Sequence, residues 1–300
     1  MKEKFEVNKI LIPIDFSKTS KVALEHAANL CSKFKSELYL LHVFTSSNID
    51  VFPNLDMKRD YDNVKNAVAK EMETIANDFR EKYGVKVNAE IKDGSISKEI
   101  VQTAEEVDAD MIVMGTHGVS GFEEFFLGSN AYRVVTSSSV PVFTIQQDST
   151  KTAYEKILLP IDNSQHSRDK VAEAAFFAQA FGAKIYIAAL VDEEGEEDKN
   201  KLNLKIKQVE DYLHNKGIDF DRTFLHGDDV AEMTLDYAEK VDADLIFIMT
   251  EQEAATGLFV GPYAQRVVNH SKIPVISVTP LGILSDTQNQ LKASFRPFRD

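Results

Sequence analysis

Three hundred residues make about two domains' worth of chain, each long enough to bury a core of its own. A hydrophobic share of 43% and a charged share of 27% are those of ordinary globular chains, and a net charge of −14 leaves no basic excess to neutralise nucleic-acid phosphates. The acidic balance does not exclude a small anionic ligand held by backbone N–H groups.

Met1–Lys4 is charged and leads straight into a strand. With no secretory apolar region and no run long enough to cross a bilayer, the expectation is a cytoplasmic protein without membrane contact. Ile10–Ile14 is a short β-branched run, as in a strand buried on both faces. Ser17 is placed to cap a helix from about Lys18 to Lys35, whose core face carries Val22, Ala23, Ala27, Leu30, Cys31 and Phe34. Cys31 is the single cysteine, which excludes an intrachain disulfide, and it reads as a small buried hydrophobe. His26 and His42 fall in helix and strand patterns and read as packing or surface residues.

Leu38–Val43 is a second strand. An amphipathic helix near Met57–Lys82 follows, with Val64, Val68, Met72, Ile75 and Phe79 on its core face. Val85–Ile91 is a third strand ended by Asp93-Gly94, and Ser97–Val107 a third helix. Met111–Met114, Ser129–Ser137 and Val142–Gln146 complete a strand–helix alternation that means an α/β unit with a mainly parallel sheet.

The unit is then written a second time. Lys9–Phe44 aligns without a gap to Lys156–Val191, matching Pro13 with Pro160, Asp15 with Asp162 and Ser17 with Ser164. Val107-Asp108-Ala109-Asp110 returns as Val241-Asp242-Ala243-Asp244, and Val140-Pro141-Val142 as Ile273-Pro274-Val275. Domains of 1–147 and 153–280 follow, with a tail of 281–300. The acidic run Asp192–Asp198 of the second copy reads as a solvated loop.

Chemistry concentrates in Gly115-Thr116-His117-Gly118 and, further on, Gly128-Ser129. Glycines after a strand and before a helix let backbone approach phosphate, and free N–H groups at the helix start point at the anion. Gly115, Gly118, Gly128 and Ser129 form the cradle, with the N–H groups of Asn130 and Ala131 as donors. Ligands of open parallel sheets sit beyond the carboxyl ends of the strands, which brings in Asp15. Its carboxylate can bind a ribose or an adenine amino group, or cap the first helix. His117 is the one imidazole of this loop and reads as solvent-facing. Lysine-bearing phosphate loops, zinc-protease and nucleophile-elbow motifs are absent.

The opening strand with Asp15, the glycine spacing and Val140-Pro141-Val142 together resemble the universal stress protein family, over about residues 5–147 and 153–280. The resemblance implies two tandem Rossmann-like (adenine nucleotide alpha hydrolase-like) domains, each a five-stranded parallel sheet of order 3-2-1-4-5 with helices on both faces. It also implies ATP as ligand, with magnesium left open. Pro13, Ile14 and Asp15 then line the adenine and ribose side, and Val43 meets the adenine through its backbone. Met114, Gly115, Gly118, Gly128, Ser129, Asn130 and Ala131 meet ribose and phosphates. Family edge strands often pair, so the two copies are expected to pair within the chain, with a homodimer open.

The second copy departs from the pattern: Met249 stands at Gly115, Gln252 at Gly118 and Pro262 at Ser129, while Gly261 matches Gly128. One competent nucleotide site, in the first copy, is the expectation. Because the second copy keeps its strands, the fold is expected not to need Gly115, Gly118 or Ser129. The leading reading is an ATP-binding regulatory or signalling module of the stress response. The alternatives are a slow ATP hydrolase or adenylate-transferring enzyme using the same pocket, and a nucleotide-independent interaction protein.

Overall fold

The computed structural model describes residues 5–45, 57–116, 128–191, 195–250 and 262–280. The chain divides into two compact units: one holds the chain up to Val134 with Val142–Thr152, the other holds Val135–Pro141 with the chain from Ala153 onward. No helix among the described residues is long and apolar enough to cross a membrane.

In the first unit β1 (Lys9–Pro13), α1 (Lys18–Phe34), β2 (Glu37–Phe44), α2 (Met57–Tyr83), β3 (Val87–Asp93), α3 (Ile96–Glu106), β4 (Met111–Gly115), α4 (Ser129–Ser137, whose end from Val135 belongs to the other unit) and β5 (Val142–Ile145) follow in order. The strands are parallel and lie in the order β3-β2-β1-β4-β5. Ile10 pairs with Leu38 on one side and with Met111 on the other. Ile10, Leu11 and Ile12 are fully buried, which is why the run is continuously apolar rather than alternating. Ser17 caps α1 as expected, its hydroxyl accepting from the Ser20 N–H at 3.1 Å. Cys31 is buried among apolar neighbours, and burial pushes its thiol up to about 12, so it packs rather than reacts. His26 is likewise buried, with Nε2 2.6 Å from the Ser149 carbonyl.

The expected core face of α2 needs a correction at its start. Val64 is 53% exposed, whereas Met72 and Ala76 are buried. The inward stripe passes instead through Tyr61, which packs edge-on against Phe44 with ring centroids 5.6 Å apart. A helical stripe of 61, 65, 68, 72, 76 keeps the period, and Val64 falls one residue off it.

The second unit repeats the plan with β6 (Lys156–Ile161), α5 (Val171–Phe181), β7 (Lys184–Val191), α6 (Glu196–Asn215), β8 (Phe220–His226), α7 (Val230–Val241), β9 (Leu245–Met249), α8 (Pro262–His270) and β10 (Val275–Val278). Its parallel order, β8-β7-β6-β9-β10, is that of the first unit. Two tandem α/β domains of order 3-2-1-4-5 are thus the architecture. Glu196, Glu197 and Asp198, expected in a solvated loop, instead form the first turn of α6, where carboxylates oppose the positive end of the helix dipole. Asp192–Glu194 and the tail 281–300 lie outside the described residues.

The amino ends of the two sheets are buttressed identically. The Asp110 carboxylate accepts from the N–H groups of Asn8 and Lys9 at 2.7 and 2.9 Å, and Asp244 from those of Glu155 and Lys156, both at 2.9 Å. The Lys9 and Lys156 ammonium groups donate to the carbonyls of Val107 and Val241. This explains why Val-Asp-Ala-Asp is written twice: it joins the start of the first strand to the start of the fourth.

Candidate functional site

At the opposite, carboxyl end of the first sheet, β1, β2 and β4 stop around a cavity of about 150 Å³. Its wall contains Pro13, Ile14 and Asp15 from the end of β1, Val43 from β2, Met114 and Gly115 from β4, and Gly128, Ser129, Asn130 and Ala131 at the start of α4. Ten of the residues singled out from the sequence therefore face one space. Gly118, with His117, lies outside the described residues.

The local reasons can be read residue by residue. Asp15 accepts from the Ser17 N–H at 3.0 Å, tying the chain down one residue before Ser17 caps α1. Helix entry and cavity wall are thus served by one carboxylate. Between them Phe16 adopts a left-handed backbone, φ 64°, which costs a bulky residue about 1–3 kcal/mol. Its ring sits 5.3 Å from that of His42, whose Nδ1 is 2.7 Å from the Ile14 carbonyl oxygen.

Gly115 has a packing reason of its own. A Cβ there would lie 2.6 Å from Thr19 Cγ2 and 3.2 Å from the Thr19 carbonyl carbon. Absence of a side chain lets the first turn of α1 close onto the end of β4. The expectation that the fold does not need Gly115 is therefore corrected. Beyond it, the Gly128 N–H donates to the Thr116 carbonyl at 2.8 Å, holding the start of α4 against the end of β4. The first intrahelical bond of α4 runs from the Tyr132 N–H to the Gly128 carbonyl. The N–H groups of Ser129, Asn130 and Ala131 precede it and belong to the turn that no helix can satisfy internally.

Among the described residues, Asp15 is the one charged side chain in the cavity wall. Among the described residues no lysine or arginine lines it, and what its wall offers an anion is N–H dipoles and hydroxyl groups. Among the described residues no group of three His, Cys, Asp or Glu side chains could hold a metal ion.

The wall also contains residues that the sequence did not single out: Ser20, Leu41, His42, Ile96, Ile100 and Thr116. Ile96 and Ile100 come from the first turns of α3, and only the sheet order brings that helix to β1 and β2. His42 and Leu41 had a signal in their position beside Val43, at the end of a strand bordering the first.

The corresponding place in the second unit is nearly full. A space of about 10 Å³, room for one water, is lined by Pro160, Asp162, Ser164, Ser167, Lys170, Leu190, Met249 and Tyr263. Met249 stands where Gly115 stands and is 4% exposed. The gapless alignment puts a helix start after Ser164, yet Gln165–Lys170 form turns and α5 begins only at Val171. A side chain at the end of β9 and a helix turn packed as in α1 cannot share the space. Lys170, aligned with Ala23, is 3% exposed and donates to the Ser167 carbonyl at 2.6 Å. Burial alone would raise the Asp162 carboxyl; the Ser164 hydrogen bonds and the Lys170 charge outweigh it and hold the group below its usual value. Lys205 closes the loop from outside, donating to the Asn163 and Ser164 carbonyls at 2.6 and 2.7 Å. Pro262 opens α8 without an N–H to offer. Gln252 and Gly261 lie outside the described residues.

Comparison with known proteins also finds one unit twice. The model of the universal stress protein family matches residues 6–146 and again 153–279. Universal stress protein MJ0531 of Methanocaldococcus jannaschii is 33% identical over 142 residues, which are 46% of this chain and 82% of that protein. Universal stress protein YxiE of Bacillus subtilis is 32% identical over 147 residues, 46% of this chain and 99% of its own. Each relative thus spans one copy's worth of chain. The crystal structure of a universal stress protein from Archaeoglobus fulgidus matches with a TM-score of 0.76 and 21% identity, covering 92% of this chain and 99% of that one. That likeness carries the fold across both units.

Proposed function

The chain belongs to the universal stress protein family, and we propose that its first unit binds ATP and acts as a regulatory module whose nucleotide state is read by partners in a stress response. The observation that carries this reading is the cavity at the carboxyl ends of β1, β2 and β4, which has an apolar end and a helix N-terminus at the other. Leu41, Val43, Ile96 and Ile100 suit a flat base, Asp15 suits ribose hydroxyls, and the N–H groups of Ser129, Asn130 and Ala131 suit phosphate oxygens. The second unit keeps the sheet but fills the space with Met249 and Lys170, so it serves as scaffold.

Titration calorimetry with ATP tests the reading, using Ser129→Asp as the comparison. Ser129 is exposed at the first position of α4, where a carboxylate favours the helix dipole and so leaves the fold intact. The same carboxylate repels phosphate. The wild type should bind and the variant should bind at least about tenfold more weakly, with an unchanged unfolding midpoint. No heat with the wild type, or equal affinity in the variant, overturns the site. Phosphate release measured beside it separates a binding module from a slow hydrolase.

A further inference from the structure

We propose that His42 reads the base of the bound nucleotide, selecting a 6-amino purine over a 6-oxo purine. The inference rests on the nucleotide reading of the cavity above and deepens it.

His42 lines the cavity, and its Nδ1 lies 2.7 Å from the Ile14 carbonyl oxygen. A carbonyl can only accept, so Nδ1 carries the hydrogen. In the neutral ring that leaves Nε2 as an acceptor, and Nε2 has no hydrogen-bond partner among the described residues. The ring is not free to turn. Phe16 lies 5.3 Å from it and Phe44 4.8 Å, edge-on, so the aromatic neighbours and the Ile14 bond fix the imidazole together. The strained left-handed backbone of Phe16 is what delivers its ring to this place.

Position supplies the ligand end. The cavity neighbours of His42 are Leu41 and Val43, with Ile96 and Ile100 in the same wall, whereas the donor-rich start of α4 marks the phosphate end. A purine at the apolar end offers its edge to His42. Adenine carries an amino donor at C6, and the 6-oxo purines carry an acceptor at the same atom. A neutral imidazole held with Nε2 as acceptor accepts from the first and repels the second.

Charge around the ring does not blur this. Asp15 is the charged group in the cavity wall among the described residues. On β3, Lys92 is paired with Glu106, and Asp93 is bonded to Lys65 and Tyr61 of α2. On α1, Lys18 and Lys21 point to solvent, as their exposure indicates. On α3, Glu99 lies against Gly94. The second unit carries Ala189 at the aligned position, so the filled cavity has also lost the reader.

The experiment compares the affinities of the 300-residue chain for ATP and inosine triphosphate at one pH, about 8. Inosine triphosphate differs from ATP only at the 6-position edge, and the ratio cancels any general attraction of a cation for the triphosphate. The wild type should favour ATP by about tenfold. His42→Asn keeps an amide donor where Nδ1 was, preserving the Ile14 bond, but removes Nε2. Its ratio should fall at least about threefold, the Val43 backbone keeping what discrimination remains. His42→Phe, which loses both, should give the same lowered ratio with a lower unfolding midpoint. If the wild type and His42→Asn share one ratio, His42 only holds the Ile14 turn and the inference falls while the nucleotide site stands. If neither triphosphate binds the wild type, the site and the inference fall together.

Discussion

The two units share a sheet order and a buttress at its amino end, and differ at its carboxyl end. Asp110 and Asp244 make the same pair of backbone bonds to within 0.2 Å. Gly115 and Met249 stand at the same point of their fourth strands and have opposite consequences. The glycine admits the first turn of α1 and leaves a cavity of about 150 Å³; the methionine goes with a helix that starts at Val171 and a space of about 10 Å³. A parallel sheet is stabilised by its buried strands and by the ties at its amino end. Its carboxyl end is left free to be a binding site or to be packed shut.

The largest expected effect comes from writing the second unit's residue into the first. Gly115→Met places a side chain where even a Cβ would meet Thr19 at 2.6 Å. The overpacking should destabilise the first unit by about 2–3 kcal/mol and abolish ATP binding together. Denaturant unfolding and calorimetry on the same sample check both. Binding that survives the substitution would break the link between the glycine and the cavity. Met249→Gly should not create a site in the second unit, because Lys170 and the late start of α5 remain.

Acid should separate the units next. His26 of α1 is buried and bonded to the Ser149 carbonyl, and burial, the largest influence, lowers its pKa below the ordinary value. The unfolded chain therefore takes up a proton at higher pH than the folded one. The stabilisation is fully present above about pH 6.5 and is lost as pH falls from there toward the lower folded value. The slope is at most about 1.4 kcal/mol per pH unit for one group. The second unit carries Glu173 at the aligned position and lacks this liability. Hydrogen exchange read peptide by peptide at pH 7 and pH 5.5 should show protection falling around Phe143 and not around Phe247, and His26→Gln should flatten the difference.

Most of the fold was legible because it was written twice. The apolar runs gave each strand to within two residues, and the repeat of Val-Asp-Ala-Asp marked a tie whose partner, the N–H groups before β1, no pattern reveals. What sequence misjudged depended on phase and on contact. Val64 was placed on the core face of α2 by its apolar character, though the stripe passes through Tyr61. Glu196–Asp198 were read as loop by their charge, though charge of that sign is what a helix start favours. The wall of the cavity was legible where glycines and a helix start announced it. Ile96 and Ile100 were not, because their role comes from which strands are neighbours. Gly115 differs again, because the second copy lacks the glycine and has also changed at the aligned helix start, from Lys18 to Val171.

The smallest expected effect tests that helix start directly. Ser17 and Ser164 are aligned, and each follows an aspartate that accepts its N–H at 3.0 Å. Only Ser17 caps a helix: its hydroxyl accepts from the Ser20 N–H, and the helix begins at Lys18. The Ser164 hydroxyl instead donates to Asp162 at 2.6 Å, while α5 begins beyond it after Lys170, with no side-chain cap. Ser17→Ala should therefore cost about 1 kcal/mol, the usual loss of an N-cap, and weaken ATP binding slightly through the loosened Asp15 turn. Ser164→Ala removes a hydrogen bond from a loop that Lys205 and Lys170 also hold, and should cost no more than about half as much. Equal losses on denaturant unfolding would mean that the aligned serines do the same work. The late start of α5 would then not be the feature that closes the second site.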